Sequence, residues 1–358
     1  MMPTDPPSGD VLEICILSRG YGESIIIKLP ERGWFIIDSH LDDSGSPAAL
    51  SYLNSVGCNT EEDVQAILLT HWHDDHVAGA AKLIAACPNA VIALSGFLQR
   101  DEFAQFLESR GAPEAGSFGT GIDELEAVLE VIAKTKQPRK WCWAEKNIAV
   151  GRDGGTFRFE ALSPSERDFE EFITAIAQMA VKGTRLSPPP RNDSSVASVF
   201  ELPSELLLFG ADLENGPKGS GWIAVHNAVW QARGKATFFK VAHHGSKGAD
   251  YEPVWVEMLI ESVMCALTPW NRGRKLPKQR DVDRILGRTK MAYAAAKPKA
   301  AKKPKRLNAV ERSLREANIK LTSEDSAQGL VRMRKVAGGD WKVELFGAAC
   351  HLSDVLAA

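Results

Sequence analysis

The apolar positions near the N-terminus fall in short continuous runs rather than at helical spacing. Residues 11–17 and 24–29 flank Arg19-Gly20-Tyr21-Gly22, and a third run, 33–37, ends at Asp38. Isoleucine-rich segments of this length bounded by glycine read as strands joined by turns. Residues 64–70 form a fourth run, which passes directly into His71-Trp72-His73-Asp74-Asp75-His76, and the Ala- and Leu-containing residues 77–86 suit a helix. The pattern therefore places a group of ligand-type side chains after a strand and before a helix.

From 97 to 150 the spacing turns helical. Phe103, Phe106 and Leu107, then Ile122, Leu125, Val128, Leu129 and Ile132, recur three and four residues apart, and a further helix is expected over 165–182. Pro188-Pro189-Pro190 breaks it. Strands are expected again over 196–202, 206–209 and 236–242, the last running into His243-His244-Gly245-Ser246. Residues 330–336 and 341–346, separated by Ala-Gly-Gly-Asp, read as a hairpin. Residues 292–306, mostly Ala, Lys and Pro, form a low-complexity stretch expected to be a mobile loop.

Composition narrows the class. In 358 residues, 44% hydrophobic content supports a real core and excludes collagenous and wholly disordered chains. The net charge of -3 does not mark a nucleic-acid binder, yet the charge is segregated: residues 272–306 hold fourteen Lys or Arg against Asp281 and Asp283, which leaves -15 for the rest. The six cysteines show no paired short spacing, which argues for reduced thiols rather than a disulfide framework or a cysteine zinc site. No basic and apolar leader opens the chain, and the longest uncharged stretch, 83–99, is interrupted by Pro88, Asn89, Ser95 and Gly96. A cytoplasmic protein without membrane contact is expected.

The chemistry concentrates in His71, His73, Asp75 and His76, four ligand-type side chains within six residues of a chain that has only eight histidines. Imidazole and carboxylate both suit zinc-like divalent ions, and groups so crowded compete unless a cation organises them. This His-x-His-x-Asp-His run resembles the signature of the metallo-β-lactamase fold superfamily. Arg19 to Ile27 with Phe35 to Ser39, Asn192 to Val196, Leu207 to Asp212, Val241 to Ser246 and Leu314 to Arg334 are similar, in order, to blocks of the soluble metal-hydrolase domain found in ComEC-type competence proteins. The resemblance implies an α/β fold, the αββα sandwich, as a single domain over residues 11–348. Residues 97–185 then look like a helical insertion, and 288–306 like a flexible basic loop.

The resemblance further implies two divalent ions, zinc or manganese. His71 and His73 would hold one, Asp75, His76 and His243 the second, with Asp212 bridging. His244 is the alternative to His243, and is read as lying behind it or as a proton donor. Asp38 is expected to accept a hydrogen bond from a ligand. Where many relatives supply a third histidine to the first ion, this chain offers Asn192 and Asp193, so that site is expected to be weaker. His40, His226 and His351 match no motif. Asp75, His244 and Lys247 are the expected catalytic residues, Lys247 as a cation near a scissile phosphate.

Two such ions can activate a bridging water to hydroxide and stabilise an in-line displacement at phosphorus. The expected function is thus a ComEC-like phosphodiesterase or nuclease acting on DNA or RNA, with nucleic acid engaged through residues 272–306. The alternatives are a hydrolase of a small molecule (a cyclic nucleotide, thioester or lactam) and a regulatory or defence binding module with a vestigial metal site.

Overall fold

The computed structural model describes residues 2–99, 121–151, 157–172, 174, 191–298 and 327–356, with the backbone alone at 191 and 193. Among them sixteen strands form two eight-stranded sheets. The first sheet runs, edge to edge, Lys342–Gly347 (β15), Gly329–Val336 (β14), Val11–Ser18 (β1), Ser24–Lys28 (β2), Trp34–Ile37 (β3), Val64–Leu69 (β4), Val91–Ser95 (β5) and Arg139–Cys142 (β6). It is antiparallel from β15 to β3 and parallel from β3 to β6. The second runs Cys350–His351 (β16), Ala292–Ala294 (β13), Leu259–Leu267 (β12), Ala236–Lys240 (β11), Leu206–Phe209 (β10), Ser198–Glu201 (β9), Arg158–Ala161 (β8) and Lys146–Val150 (β7). Its four central strands, β10 to β13, are parallel.

The continuous apolar runs follow from burial on both sheet faces, because successive side chains point to opposite sides of a strand. In β1 to β3, Ile14, Ile16, Ile25, Ile27 and Phe35 enter the layer between the sheets, whereas Cys15, Leu17, Ile26 and Ile36 face the helices outside. Phe35 packs edge-on against Phe159 and Phe200, whose rings stack 4.0 Å apart. Truncating such a ring to Ala removes about 3–5 kcal/mol. Helices Ala48–Ser55, Ala80–Ala85 and Gly121–Thr135 cover the first sheet, and Gln279–Arg288 packs Val282 and Ile285 on the second. The layers are therefore helix, sheet, sheet, helix.

Three expectations change. The stretch 97–185 is not simply helical: its described part holds Gly121–Thr135 but also β6, β7 and β8, so the chain crosses here from one sheet to the other. Their short, polar-flanked sequences hide the strand period. The basic stretch is not a loop throughout, since Ala292–Ala294 is the strand β13 between β12 and β16, with Ala292 and Ala294 buried and Tyr293 half-buried. Residues 299–306 lie outside the described ones. The helix expected over 77–86 is divided into Asp74–Val77 and Ala80–Ala85 by Gly79 at φ +78. At this positive φ any side chain is strained, and a Cβ would also press on Leu41 Cδ2 at 2.5 Å, so the turn after the histidine motif favours glycine. The expected hairpin is present as β14 and β15, with Leu330 opposite Phe346.

Candidate metal centre

The parallel strands β3, β4, β10 and β11 all end at the same edge of the sandwich, and each delivers polar residues there: Asp38, His71, Asp212, and His243 with His244. Crevices beyond the carboxyl ends of parallel strands are where such folds place ligands. Four residues here take left-handed backbone conformations without being glycine: Asp38 (φ 60), Ala211 (φ 43), His243 (φ 44) and His244 (φ 54). Each costs about 1–3 kcal/mol and persists only where the surroundings impose it. Strain is concentrated where the candidate ligands are displayed.

Two donor groups meet at Asp212. Asp75, His76, Asp212 and His244, all buried, offer ligand atoms within 4.8 Å of one another, and so do His71, His73 and Asp212. His76 Nε2 lies 3.5 Å from both Asp75 Oδ2 and Asp212 Oδ2, and His244 Nε2 makes the same pair of distances. His71 Nε2 is 3.9 Å from Asp212 Oδ2 and 2.7 Å from His73 Nδ1.

The partners behind the rings decide which nitrogen faces inward. The Thr70 hydroxyl donates to Asp38 Oδ2 at 2.8 Å, so it can only accept from His71 Nδ1, 3.0 Å away. His76 Nδ1 donates to Asp38 Oδ2 at 2.7 Å, and His244 Nδ1 donates to the Thr268 carbonyl at 3.0 Å. All three rings thus keep the Nε2 lone pair for the centre, as metal-binding imidazoles require. Asp38 supports two of them, in the acceptor role expected of it.

These residues fit a divalent cation. Asp75 Oδ2, His76 Nε2 and Asp212 Oδ1 are buried without a hydrogen-bond partner, an arrangement costly for a protein unless an ion satisfies it. The charges agree. Burial pushes the Asp212 carboxyl up, but the His244 and His76 rings outweigh it and hold it well below the usual range. Burial likewise opposes, and His76 and His244 overcome, ionisation of Asp75, held near about 2. Burial disfavours charge on His76, yet Asp75, Asp212 and Asp38 raise it well above an ordinary imidazole. His71 goes the other way: burial and the neighbouring His76 and His73 push it well below.

The two adjacent histidines hold the opposite places from those expected. His244 enters the Asp75, His76 and Asp212 group, whereas His243 turns aside, its Nδ1 3.1 Å from Glu214 Oε1 and 3.2 Å from Ser246 Oγ. The cause is the pair of left-handed residues after β11, which reverses the chain so that the second ring points inward. Of the suggested replacements for a third histidine, Asn192 donates to Glu214 Oε1 at 2.6 Å while its own Oδ1 is buried without a hydrogen-bond partner, and the Asp193 side chain lies outside the described residues. Ser195, from the same block, accepts the Asp212 N–H at 3.0 Å. Lys247 is exposed on the wall of the cleft into which the centre opens.

Two supports escaped sequence reasoning. Glu23, fully buried, pairs with fully buried Lys240 and accepts from the Thr268 hydroxyl at 2.6 Å, while its N–H donates to the Asp75 carbonyl at 2.8 Å. Lys240 Nζ also reaches the Ala211 carbonyl at 3.4 Å. One ion pair thereby ties the segments carrying Asp75, Asp212 and His244. The available signal was a charge at the edge of each of two apolar runs, Glu23 just before β2 and Lys240 at the end of β11. The second is Glu214, whose carboxyl is held low by its hydrogen bond to His243, against burial. Helix Gly121–Thr135 backs the histidine loop, its Ile122 and Leu125 packing with Trp72. His226 pairs with exposed Glu257, His351 bonds Ser353, and His40 is buried with its pKa lowered to about 4 by burial and by Arg19.

The cleft beyond the donors has a volume of about 600 Å³. Its wall carries Lys247, Arg274, Lys278 and Arg280, none with an ion-pair partner among the described residues, together with Trp270, whose indole lies 5.5 Å from the His244 ring. Among the described residues, no helix is long and apolar enough to cross a membrane, and the described cysteines are all free.

Residues 17–112 match the family profile described as the metallo-beta-lactamase superfamily. No curated protein matches the chain. Solved structures similar to it include the metallo-beta-lactamase fold protein YhfI from Bacillus subtilis, at 14% identity over 64% of this chain and 70% of that one, TM-score 0.35. Igni18, a metallo hydrolase from the archaeon Ignicoccus hospitalis, is similar at 9% identity over 90% of this chain and 98% of its own, TM-score 0.37. AidC, a dizinc quorum-quenching lactonase, is similar at 17% identity over 53% of this chain and 55% of that one, TM-score 0.30. The match over residues 17–112 and the two mixed sheets between helices are consistent with the αββα sandwich of the metallo-beta-lactamase fold.

Proposed function

We propose that this protein is a metal-dependent phosphodiesterase of the ComEC-like kind, acting on nucleic acid. The observation that carries the reading is the wall of Lys247, Arg274, Lys278 and Arg280 in the cleft shared with the donor groups. His71, His73 and Asp212 would hold one divalent ion, and Asp75, His76, His244 and Asp212 a second, with zinc and manganese both compatible with a nitrogen and oxygen donor set. When bound, such ions supply an activated water and charge stabilisation on phosphoryl oxygens.

The chain's own residues do the rest. The four cations neutralise and orient an anionic diester, and a point charge such as Lys247 suits a phosphate oxygen. His243 is the proton donor to the leaving oxygen: burial disfavours its charge, but Glu214 and Asp212 raise its pKa, and both its contacts use Nδ1, leaving Nε2 for the cleft it lines. Lys247 and His243 thus take the roles first expected of Lys247 and His244.

The test is a panel. Protein loaded with zinc or with manganese is assayed on bis(p-nitrophenyl) phosphate, single-stranded DNA and RNA, a cyclic nucleotide, a lactam and a lactone. Hydrolysis of phosphodiesters with inert lactam and lactone is the expected result, and the reverse pattern overturns the reading. A second reading, a small-molecule hydrolase, is favoured by the cleft volume, which lies in the range of small-ligand sites.

A further inference from the structure

The cations beside the centre are more numerous than one diester needs. A phosphodiester carries one negative charge, yet Lys247, Arg272, Arg274, Lys275, Lys278 and Arg280 all lack an ion-pair partner among the described residues. Three of these sit on one built element. After β12 the chain forms a loop closed at its base by two reciprocal backbone bonds, Trp270 N–H to Leu276 O at 2.9 Å and Leu276 N–H to Trp270 O at 2.8 Å. Arg272, Gly273, Arg274 and Lys275 between them are exposed, and Gly273, at φ +56, has open space where a Cβ would lie.

The loop is a projection with a fixed root. Trp270 leans on the ring of His244 at 5.5 Å and meets Tyr21 edge-on at 6.4 Å, and the Arg272 guanidinium covers the Tyr21 ring at 3.4 Å. Arg274 faces the cleft, whereas Arg272 and Lys275 do not line it. Arg272 and Lys275, outside the cleft lining, are not needed by a diester small enough to sit inside it. They can reach phosphates that continue out of it.

We propose that the 270–276 loop is a polyanion-binding finger, and that the substrate is a nucleic-acid strand whose flanking phosphates engage Arg272 and Lys275 while one diester enters the cleft. This rests on the phosphodiesterase reading above. Outside residues 272–306 the formal charge is -15, so a strand is repelled by most of the molecule and drawn to this patch. Arg272, planar and stacked on Tyr21, loses little freedom on binding a phosphate.

The experiment measures binding of a labelled, cleavage-resistant phosphorothioate strand of about 30 nucleotides to the metal-loaded protein across roughly 50 to 200 mM salt. In R272Q/K275Q the magnitude of the log–log salt slope is expected to fall by about 1.4, two contacts at ~0.7 each for a single strand. R272K/K275R, which keeps both charges, is expected to keep the slope. Deletion of the low-complexity stretch is unsuitable, because it removes β13. Equal slopes for the wild type and R272Q/K275Q overturn the finger, and so does a wild type that binds no strand. If the slopes behave as expected but the loaded wild type leaves bis(p-nitrophenyl) phosphate intact, the finger stands and the phosphodiesterase reading falls.

Discussion

The two halves of the centre share Asp212 and are made of the same kinds of side chain, yet they are held differently. In the inner half, Asp38 and the Thr268 carbonyl clamp the rings of His76 and His244, and Glu23 holds the backbone of Asp75. Every donor there is buried. In the outer half His71 is clamped through Thr70, His73 is partly exposed, and the Asn192 amide N–H donates to Glu214. Proton occupancy separates them too, since His76 is biased to carry a proton that an ion must displace and His71 is not. Donor identity alone does not set a site's strength; the groups standing behind the donors do.

The most severe break is at the shared carboxylate. Asp212→Asn is expected to unseat both ions and to abolish hydrolysis, a loss beyond the ~10–100-fold typical of a removed supporting bond. Metal analysis of the purified variant checks it, and retention of two ions refutes the bridging role.

The neighbouring histidines then divide the halves from the chemistry. His244→Ala should lose the inner ion, whereas His243→Ala should keep the metal content and slow turnover by about 10²–10⁴-fold, the usual worth of a general acid. Metal analysis beside single-turnover rates tests both, and swapped outcomes would return His243 to the ligand set.

The anchoring claim predicts that Glu23→Gln weakens the inner ion by ~10–100-fold and the outer ion, which shares only Asp212 with that anchor, by less. Competition with a chelator reads the two affinities, and thermal melting reports the fold separately, because breaking a buried pair also costs about 3–5 kcal/mol. Equal weakening of both ions would make Glu23 a general stability residue.

The mildest test uses no mutation. After exhaustive dialysis the inner half should retain its ion and the outer half should not, with metal content approaching one per chain. Lowering the pH should weaken the inner ion more steeply than the outer: the raised His76 pKa means protons compete for it from higher pH, whereas His71, shifted down, stays neutral. Two equally tight ions with parallel pH dependence would dissolve the distinction.

Much of this was legible along the chain. Strands β1 to β4 and β9 to β11, the β14 and β15 hairpin, and the placement of ligand-type residues at strand ends follow from apolar runs that stop at His, Asp or Gly. Strands β6 to β8 and β13 did not, because they are short and take their identity from the sheet they join.

By itself the sequence pointed, through its family resemblance, to the αββα class, to the candidate donors His71, His73, Asp75 and His76 clustered within six residues, and to Asp212 far along the chain. Only the tertiary structure decided between His243 and His244, where two left-handed residues turn one ring inward and the other toward Glu214. Only it joined Glu23 to Lys240, and Arg272 to Tyr21, across hundreds of residues. Such pairings depend on which strand ends the fold brings together, and no local period in the chain encodes that.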